Sequence, residues 1–285
     1  MRLRRADGAI RPFHWRCVIR LEAYGHSDVG LKRAGNEDSY YCSAEEGLAV
    51  VADGMGGHAS GEVASALAVK IIRDRVLAAF GAGACSSGEE LCGVLDSAIR
   101  EANDSIFEKG GAAVKASRMG TTIAAFVFCG DSAAIAHVGD SRVYLLRDGV
   151  LHPLTQDHSL VNEQLKANLI SVEEARTSIY RHIVTRALGM KKEVEPETQT
   201  VVLRPGDLVL LCSDGLFDMV KDEAIKNVLV EHGGNLKKAV HRLIDLANMN
   251  GGEDNITVVL ISVKGEGRER GEEGEADRTT MLTME

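Results

Sequence analysis

Short apolar segments recur along this chain, and several of them end at an acidic residue followed by glycine. The segments are rich in Val, Ile, Leu and Ala and span 47–52, 121–129, 133–138, 143–146, 208–212 and 256–263. Several lack a clean apolar–polar alternation, which is typical of strands that are covered on both faces. These segments predict β-sheets that lie inside the protein.

Helical patterns separate some of these strands. Residues 61–80, 91–107 and 236–249 repeat apolar side chains at the spacing of one helix face. The dipeptide Asp148-Gly149, between Leu146 and Val150, predicts a tight hairpin and therefore antiparallel pairing. Hairpins and grouped helices together indicate an α+β fold with two antiparallel sheets and external helices, rather than a parallel βαβ sheet.

The chain has 285 residues, which is long for one domain but within the range of large sandwich domains. No Pro- or Ser-rich linker or internal repeat divides it. We predict a basic N-terminal arm over residues 1–16 and one domain over 17–264. Residues 265–285 are rich in Gly and Glu and lack apolar periodicity, which predicts a disordered acidic tail.

Charge and cysteine content narrow the function classes. The net charge of -9 argues against nucleic acid as the main partner. No apolar run reaches the length of about 18 residues that a membrane helix needs, and no apolar core follows the basic start. The six cysteines form no C-x-x-C pair and are expected to be buried and reduced, as in a cytoplasmic protein. A monomer is expected, because the sequence shows no apolar stripe that would obviously be exposed on the surface.

Acidic residues stand where strand patterns give way to turns. Strand ends can aim such carboxylates at one point, and hard divalent cations bind several oxygen ligands. The residues concerned are Glu37, Asp38, Asp53, Asp214 and Asp254, the last followed by Asn255. Taken singly, each has a plainer interpretation: a D-G pair is an ordinary turn, and Asp38 a cap or a surface charge. Neither the G-K-[ST] ending of a nucleotide loop nor EF-hand spacing is present.

Seven motifs together resemble the type 2C, metal-dependent protein serine/threonine phosphatases. They are S-D-V-G-L-K-R-A-G-N-E-D at 27–38, V-A-D-G-M-G-G-H at 51–58, M-G-T-T at 119–122, V-G-D-S-R at 138–142, T-R-A-L-G at 185–189, L-C-S-D-G-L-F-D at 211–218 and E-D-N-I-T-V at 253–258. Their order and spacing match over residues 24–263, and the M-G-G version resembles the bacterial branch. The resemblance implies a four-layer α-β-β-α sandwich.

The resemblance also implies a set of ligands for two manganese or magnesium ions. Asp53 would bridge the ions, and Gly54 would add its carbonyl to one of them. Asp214 and Asp254 would bind the other ion, and Glu37 would hold metal-bound waters. Such ions about 3.5 to 4 Å apart lower the pKa of a shared water, so that hydroxide attacks phosphorus in line.

Further residues of the motifs would support this chemistry. Asp38 and Asn255 would orient the ligands by hydrogen bonds. Arg33 would grip the phosphoryl oxygens with its donor fork, and its catalytic role would accompany those of Asp53 and Asp214. Outside the family pattern, an arginine before an acidic pair would simply form a surface ion pair.

A third, weaker ion is implied at Asp140 and Asp218, together with Asp214. For Asp140, the alternative is an ordinary hairpin acid paired with Arg142. His182 stands where bacterial relatives often carry a small polar residue, so its imidazole either contacts this third site or points to solvent.

One position departs from the eukaryotic pattern D-G-H-G-G, whose histidine is a candidate general acid. Met55 occupies it here and cannot donate a proton, so water, a metal-bound water or another side chain must protonate the leaving group. His58 follows nearby, although a structural role suits it better. The stretch 156–182 resembles the mobile flap of the family, which bears on substrate choice.

The predicted function is hydrolysis of phosphoserine and phosphothreonine in proteins, opposing a cognate serine/threonine kinase. A catalytically silent scaffold that binds metal or phosphoprotein is one alternative, and the presence of Asp53, Asp214 and Asp254 argues against it. A hydrolase of small phosphoesters is another alternative.

Overall fold

The structure is a computed structural model that describes residues 18–56, 59–83, 87–111, 119–130 and 132–266. The predicted arm at 1–16 lies outside the described residues, as do most of the predicted tail, His58, Cys17 and Cys85.

Five strands form the first sheet, and every neighbouring pair is antiparallel. In spatial order they are β1 (Val18–Asp28), β11 (Ile256–Glu266), β10 (Leu208–Cys212), β7 (Arg142–Arg147) and β8 (Val150–Pro153). β11 therefore extends two residues past 264, where the predicted domain ends.

The second sheet is also antiparallel and has six strands. Its spatial order is β2 (Asp38–Ser43), β3 (Leu48–Met55), β5 (Ile123–Cys129), β6 (Ser132–Val138) and β9 (Glu197–Val201), and the short β4 (Gly120–Thr121) pairs with the end of β3.

Helices cover the outer face of each sheet. The second sheet packs against α1 (Ala59–Gly81) and α2 (Gly88–Gly111), and the first packs against α5 (Asp214–Phe217), α6 (Asp222–His232) and α7 (Leu236–Met249). Two short helices, α3 (Leu160–Lys166) and α4 (Val172–Thr177), lie in the connection between β8 and β9. The predicted α+β, α-β-β-α sandwich is confirmed.

The composition of β3 follows from its position between two apolar layers. Ala49 and Val51 face the layer between the sheets, whereas Val50 and Ala52 face α1 and α2. All four are fully buried. Because neither face of the strand meets water, its sequence shows no alternation of apolar and polar residues.

The predicted hairpin is present between β7 and β8. Asp148 and Gly149 have φ of 51° and 76°, the positive values that a tight two-residue turn requires at both central positions.

The cysteine prediction needs a correction. Cys212 is buried, but Cys42, Cys92 and Cys129 are only partly buried, and the thiols of Cys42, Cys92 and Cys212 are free. Cys42 lies in β2 at the edge of its sheet, Cys129 is the last residue of β5, and Cys92 lies near the start of α2. Within the described residues, no helix is both long enough and apolar enough to span a bilayer.

Candidate active site

A cleft of about 590 Å³ opens where strands of both sheets end. It is strongly acidic, because its lining contains seven carboxylate side chains but only Arg33 and His182 as basic groups. The carboxylates belong to Glu37, Asp53, Asp140, Asp214, Asp218, Glu253 and Asp254. The structure thus brings together acidic residues that are far apart in the sequence.

The end of β3 places Asp53 in this cleft. Its main-chain N–H donates to the Thr122 hydroxyl at 3.0 Å, and its carbonyl accepts from the Thr122 N–H at 2.9 Å and the Thr121 hydroxyl at 2.8 Å. Asp38 lies directly opposite Asp53 in the antiparallel register of β2 and β3. Two carboxylates therefore share one end of this sheet.

Glycines let the backbone approach closely beside Asp53. A Cβ on Gly54 would collide with the carbonyl oxygens of Gly61 and Glu37, and a Cβ on Gly61 would collide with the Glu37 carboxylate. Gly54 also donates its N–H to the Glu37 carbonyl at 3.2 Å. Only glycine fits at these two positions without moving the backbone.

Asp38 is held by two hydroxyl groups from the first sheet. Its Oδ2 accepts from Ser213 at 2.7 Å and Thr257 at 2.6 Å, whereas its Oδ1 has no partner among the described residues. Burial raises the pKa of Asp38 to about 6, although these hydrogen bonds favour the ionised form. Asp38 therefore ties the two sheets together behind the cleft.

Asn255 fixes the loop that carries Glu37. Its Oδ1 accepts from the Glu37 N–H at 2.8 Å, and its Nδ2 donates to the carbonyls of Val29 and Gly35 at 2.9 and 3.0 Å. One buried amide thus replaces the backbone pairing that this irregular loop lacks.

Arg33 reaches across the mouth of the cleft to Asp254. Its guanidinium donates to Asp254 Oδ2 at 2.6 Å, and this hydrogen bond is the main cause of the raised pKa of Arg33. The other Asp254 oxygen accepts from the Asn255 N–H at 2.8 Å. The Arg33 side chain remains 54% exposed, so part of its donor fork faces the solvent.

The central carboxylates repel one another. Burial raises the pKa of Asp53 well above its ordinary value, and the charges of Asp38 and Asp214 add to this effect. Burial and the charge of Asp140 do the same to the pKa of Asp214, whose Oδ1 is buried without a hydrogen-bond partner among the described residues. No ion pair within the described residues neutralises Asp53, Asp140 or Asp214.

Asp140 is buried, and burial together with the charge of Asp157 raises its pKa to about 7. The alternative that Arg142 pairs with Asp140 is wrong. Arg142 instead makes a two-pronged hydrogen bond to Asp157 at 2.9 and 2.7 Å, and its guanidinium lies 3.6 Å from the centre of the Phe217 ring.

His182 does not simply point to solvent. Its Nδ1 lies 3.1 Å from Asp218 Oδ2, although half of its side chain is exposed. The ligand atoms of His182, Asp214 and Asp218 all lie within 4.8 Å of one another. Met55 also lines the cleft, and this side chain offers no proton.

Divalent cations fit this donor set. The cleft presents oxygen atoms, which hard cations prefer, and the carboxylates of Asp53, Asp140 and Asp214 have no protein counter-charge among the described residues. The unpartnered oxygens of Asp38 and Asp214 and the close approach of the backbone at Gly54 are structural features that a bound cation explains.

Sequence reasoning missed three residues of the site. Thr122 holds the main chain of Asp53, and Ser213 and Thr257 hold Asp38. Each is a hydroxyl residue within one or two positions of a predicted ligand or at the start of an apolar strand. That position is the signal that could have found them.

Known proteins resemble this chain over the same region. The family model described as protein phosphatase 2C matches residues 28–255. The serine/threonine protein phosphatase PstP of Mycobacterium tuberculosis is 41% identical over 248 residues, which are 87% of this chain and 46% of PstP. The chain thus spans about half the length of PstP. The serine/threonine phosphatase stp of Listeria monocytogenes is 38% identical over 85% of this chain and 95% of its own length.

Solved structures agree with these matches. The catalytic domain of PstP, in complex with two manganese ions, has a TM-score of 0.76 at 40% identity and covers 86% of this chain and 99% of that chain. Stp1 of Staphylococcus aureus has a TM-score of 0.77 at 34% identity and covers 90% of this chain and all of that chain. With the family model matching most of its length, this chain belongs to the protein phosphatase 2C family.

Proposed function

We propose that this protein is a serine/threonine phosphatase that hydrolyses phosphoserine and phosphothreonine in proteins with the help of manganese or magnesium. The observation that carries the proposal is the set of three carboxylates, Asp53, Asp140 and Asp214, that lack a protein counter-charge among the described residues, in a cleft whose rim bears an exposed guanidinium. Relatives named serine/threonine phosphatases support the substrate class.

Five residues would hold two cations. Asp53 would bridge them, Gly54 would offer its carbonyl oxygen, Asp214 and Asp254 would supply carboxylates, and Glu37 would hold coordinated waters. When bound, such cations lower the pKa of a shared water and stabilise negative charge on the phosphoryl group. Asn255 would keep Glu37 and Asp254 in place. Asp38 would hold Ser213, the neighbour of Asp214, and Thr122 would hold the main chain of Asp53.

Arg33 would bind the phosphoryl oxygens of the substrate. Its side chain is half exposed at the rim, and one of its nitrogens is already held by Asp254, which leaves other N–H groups available for a phosphoryl oxygen. A guanidinium matches phosphate geometry with two parallel donors, which lysine lacks.

Asp140 and Asp218 would hold a third ion together with Asp214. Support comes from the raised pKa of Asp140, which burial causes, and from the short distance between the ligand atoms of Asp214 and Asp218. His182 lies within reach of this third site.

The partners we propose are phosphorylated proteins and a cognate serine/threonine kinase, with no nucleic acid or membrane as partner. The acidic net charge of -9 disfavours nucleic acid. We further propose a monomer in the cytoplasm, which accords with the free thiols of Cys42, Cys92 and Cys212.

Hydrolysis of a phosphothreonine peptide tests this function. We expect turnover with manganese, a lower rate with magnesium and none with chelator. Asp53→Asn should reduce manganese-dependent turnover by more than about 100-fold. Loss of a residue that only supports a metal ligand already costs about 10- to 100-fold. Asp104→Asn, on the exposed face of α2, is the matched control and should retain full activity.

Two further measurements define the mechanism and the substrate class. Arg33→Ala should raise KM for the phosphopeptide more than it lowers kcat. Full activity of Asp53→Asn would refute the bridging role. Rapid hydrolysis of p-nitrophenyl phosphate without any peptide turnover would instead indicate a small-phosphoester hydrolase.

A further inference from the structure

A second polar cluster lies behind the turn that carries Asp140. The rings of His137 and His158 stack with their centres 4.6 Å apart, and each histidine side chain is about 5% exposed or less. Glu197 Oε1 accepts from His158 Nε2 at 3.0 Å, and the Arg186 guanidinium lies 3.6 Å from the same oxygen. None of these residues lines the cleft.

Hydrogen bonds fix the protonation of both rings. The main-chain N–H of Gly139 donates to His158 Nδ1 at 3.0 Å, so Nδ1 carries the lone pair and Nε2 carries the proton given to Glu197. The Nε2–H of His137 donates to the Gln156 carbonyl at 2.9 Å. Burial lowers the pKa of both histidines, that of His158 to about 4, so both rings are neutral.

This arrangement does not suit a metal ion, even though His137, His158 and Glu197 place their ligand atoms within 4.8 Å of one another. Both Nε2 atoms already carry protons, so they have no lone pair for a cation. The Arg186 guanidinium, 3.2 Å from His158 Nε2, already supplies the positive charge that Glu197 requires. The cluster is therefore better described as a hydrogen-bond network around Glu197 than as a metal site.

His158 uses three of its four polar groups to join two segments of the chain. Its main-chain N–H donates to the Gly139 carbonyl at 2.9 Å, while its Nδ1 accepts from the Gly139 N–H. Its carbonyl accepts from the Thr185 N–H at 2.8 Å. One residue thus binds both main-chain groups of Gly139 and also the strand-like return of the chain that follows His182.

Gly139 leaves little freedom for the turn to adjust. Its φ is 101°, a conformation that glycine alone adopts readily, and a Cβ there would lie 2.7 Å from the Thr122 side chain. Thr122 in turn holds the main-chain N–H of Asp53 at 3.0 Å. A shift of Gly139 would therefore reach both Asp140, its neighbour in sequence, and Asp53 through Thr122.

We propose that His158 is a positioning residue for the metal-binding end of the sandwich, acting through Gly139 on Asp140 and through Thr185 on the segment that carries His182. The inference rests on the proposed function, because it takes Asp140 as a ligand for a cation. It assigns to His158 the task of holding the third-ion site in place without contact with substrate or cation.

Two substitutions separate the interactions of the ring. In His158→Asn, the side-chain oxygen stands near the place of Nδ1 and can still accept from the Gly139 N–H. In His158→Gln, the amide reaches the place of Nε2 and can still bond to Glu197, but the Gly139 N–H loses its acceptor. His152→Gln, at an exposed histidine of β8, is the matched control.

The manganese concentration that gives half-maximal phosphopeptide hydrolysis is the first measurement. We expect His158→Gln to raise it roughly 10-fold, the lower range for loss of a group that supports metal ligands, with kcat at saturating manganese largely restored. His158→Asn should stay within about 3-fold of wild type, and His152→Gln should match wild type. Calorimetric titration of the chelator-treated proteins with manganese is the second measurement. It should rank the manganese affinities of wild type and the variants in the same order.

Other outcomes would overturn the inference. Equal manganese dependence in the Asn and Gln variants would show that the bond to Gly139 does not matter. A lower Tm of His158→Gln with unchanged manganese affinity would reduce the residue to a structural role. If wild type binds manganese but hydrolyses no phosphopeptide, the proposed function fails, while the calorimetric order still decides the role of His158.

Discussion

Strand β10 has an aspartate beyond each of its two ends, and the two have opposite surroundings. Asp207 precedes the strand and binds Arg147 through two hydrogen bonds of 2.9 and 2.6 Å, and its Oδ2 also accepts from the Arg204 N–H at 2.7 Å. Asp214 follows the strand, and its buried Oδ1 has no partner in the described part of the chain. The same strand thus ends in one neutralised carboxylate and one that is not.

The Asp207 end of the strand contributes to stability, whereas the Asp214 end is suited to function. An ionised carboxylate is costly to bury unless a cation accompanies it, and at the Asp207 end the chain supplies that cation itself. At the Asp214 end, the charges of Asp140, Asp254, Asp218 and Asp38 all raise the pKa of Asp214 further. We infer that this end is completed by cations from solution, and that its repulsion is retained for that purpose.

The test with the largest expected effect substitutes each of the two aspartates in turn and measures the stability of the metal-free protein. Asp207→Asn should destabilise by about 3 kcal/mol, because it leaves Arg147 without its counter-charge. That corresponds to a Tm lower by roughly 10 °C at about 2 to 4 °C per kcal/mol. Asp214→Asn should raise Tm, because it removes a repelling charge. Thermal unfolding followed by circular dichroism in chelator measures both.

Movement of both Tm values in the same direction would show that the two ends of β10 do not differ in charge balance. Asp104→Asn, on an exposed helix face, controls for the chemical change from carboxylate to amide and should leave Tm unchanged.

The second test adds manganese. A ligand that binds only the folded state stabilises it by about 2.7 kcal/mol at 100 times its Kd, so the Tm of wild type should rise by roughly 5 to 10 °C. In Asp214→Asn, most of this increase in Tm should be lost. In Asp207→Asn, the increase should be as large as in wild type, although the Tm without manganese is lower. Tm measured across a manganese titration checks this. An undiminished shift in Asp214→Asn would remove that carboxylate from the metal site.

The strands of the interior were predictable, and those of the periphery were not. β10 was predicted with its observed bounds, because all of its residues are buried and apolar. β9 was missed, since four of its five residues are exposed and its strand form comes from pairing with β6. β1 and β2 were missed for a related reason: most of their described side chains are only half-buried.

The acidic residues of the site were predictable as a group, but their contacts were not. Arg33 pairs with Asp254, and Arg142 binds Asp157 rather than Asp140. Both pairings depend on the register and packing of strands that are far apart in the sequence. His158 gave no signal for a similar reason, because its role depends on the Gly139 turn that folds back onto it. Short-range patterns carry no information on such long-range pairs.

The smallest test concerns pH and uses Asp140, whose pKa burial raises to about 7. A carboxyl group with a pKa raised above its unfolded value contributes stability at low pH and loses it as pH rises through the folded value. In chelator, the unfolding free energy of wild type relative to Asp140→Asn should therefore grow by about 1 kcal/mol between pH 8 and pH 6. Denaturant unfolding of both proteins measures this difference.

Subtracting the unfolding free energy of Asp140→Asn from that of wild type cancels the contributions of groups that titrate in both proteins. His158 is one of them, because its pKa is lowered by burial to about 4, and its contribution has the opposite sign: present at neutral pH and lost as pH falls. Saturating manganese should abolish the difference between wild type and Asp140→Asn over this range, since a bound cation holds the carboxylate ionised. A difference that stays flat in chelator would mean that Asp140 is ionised throughout, and that the Asp214 end of β10 tolerates its charges without cations.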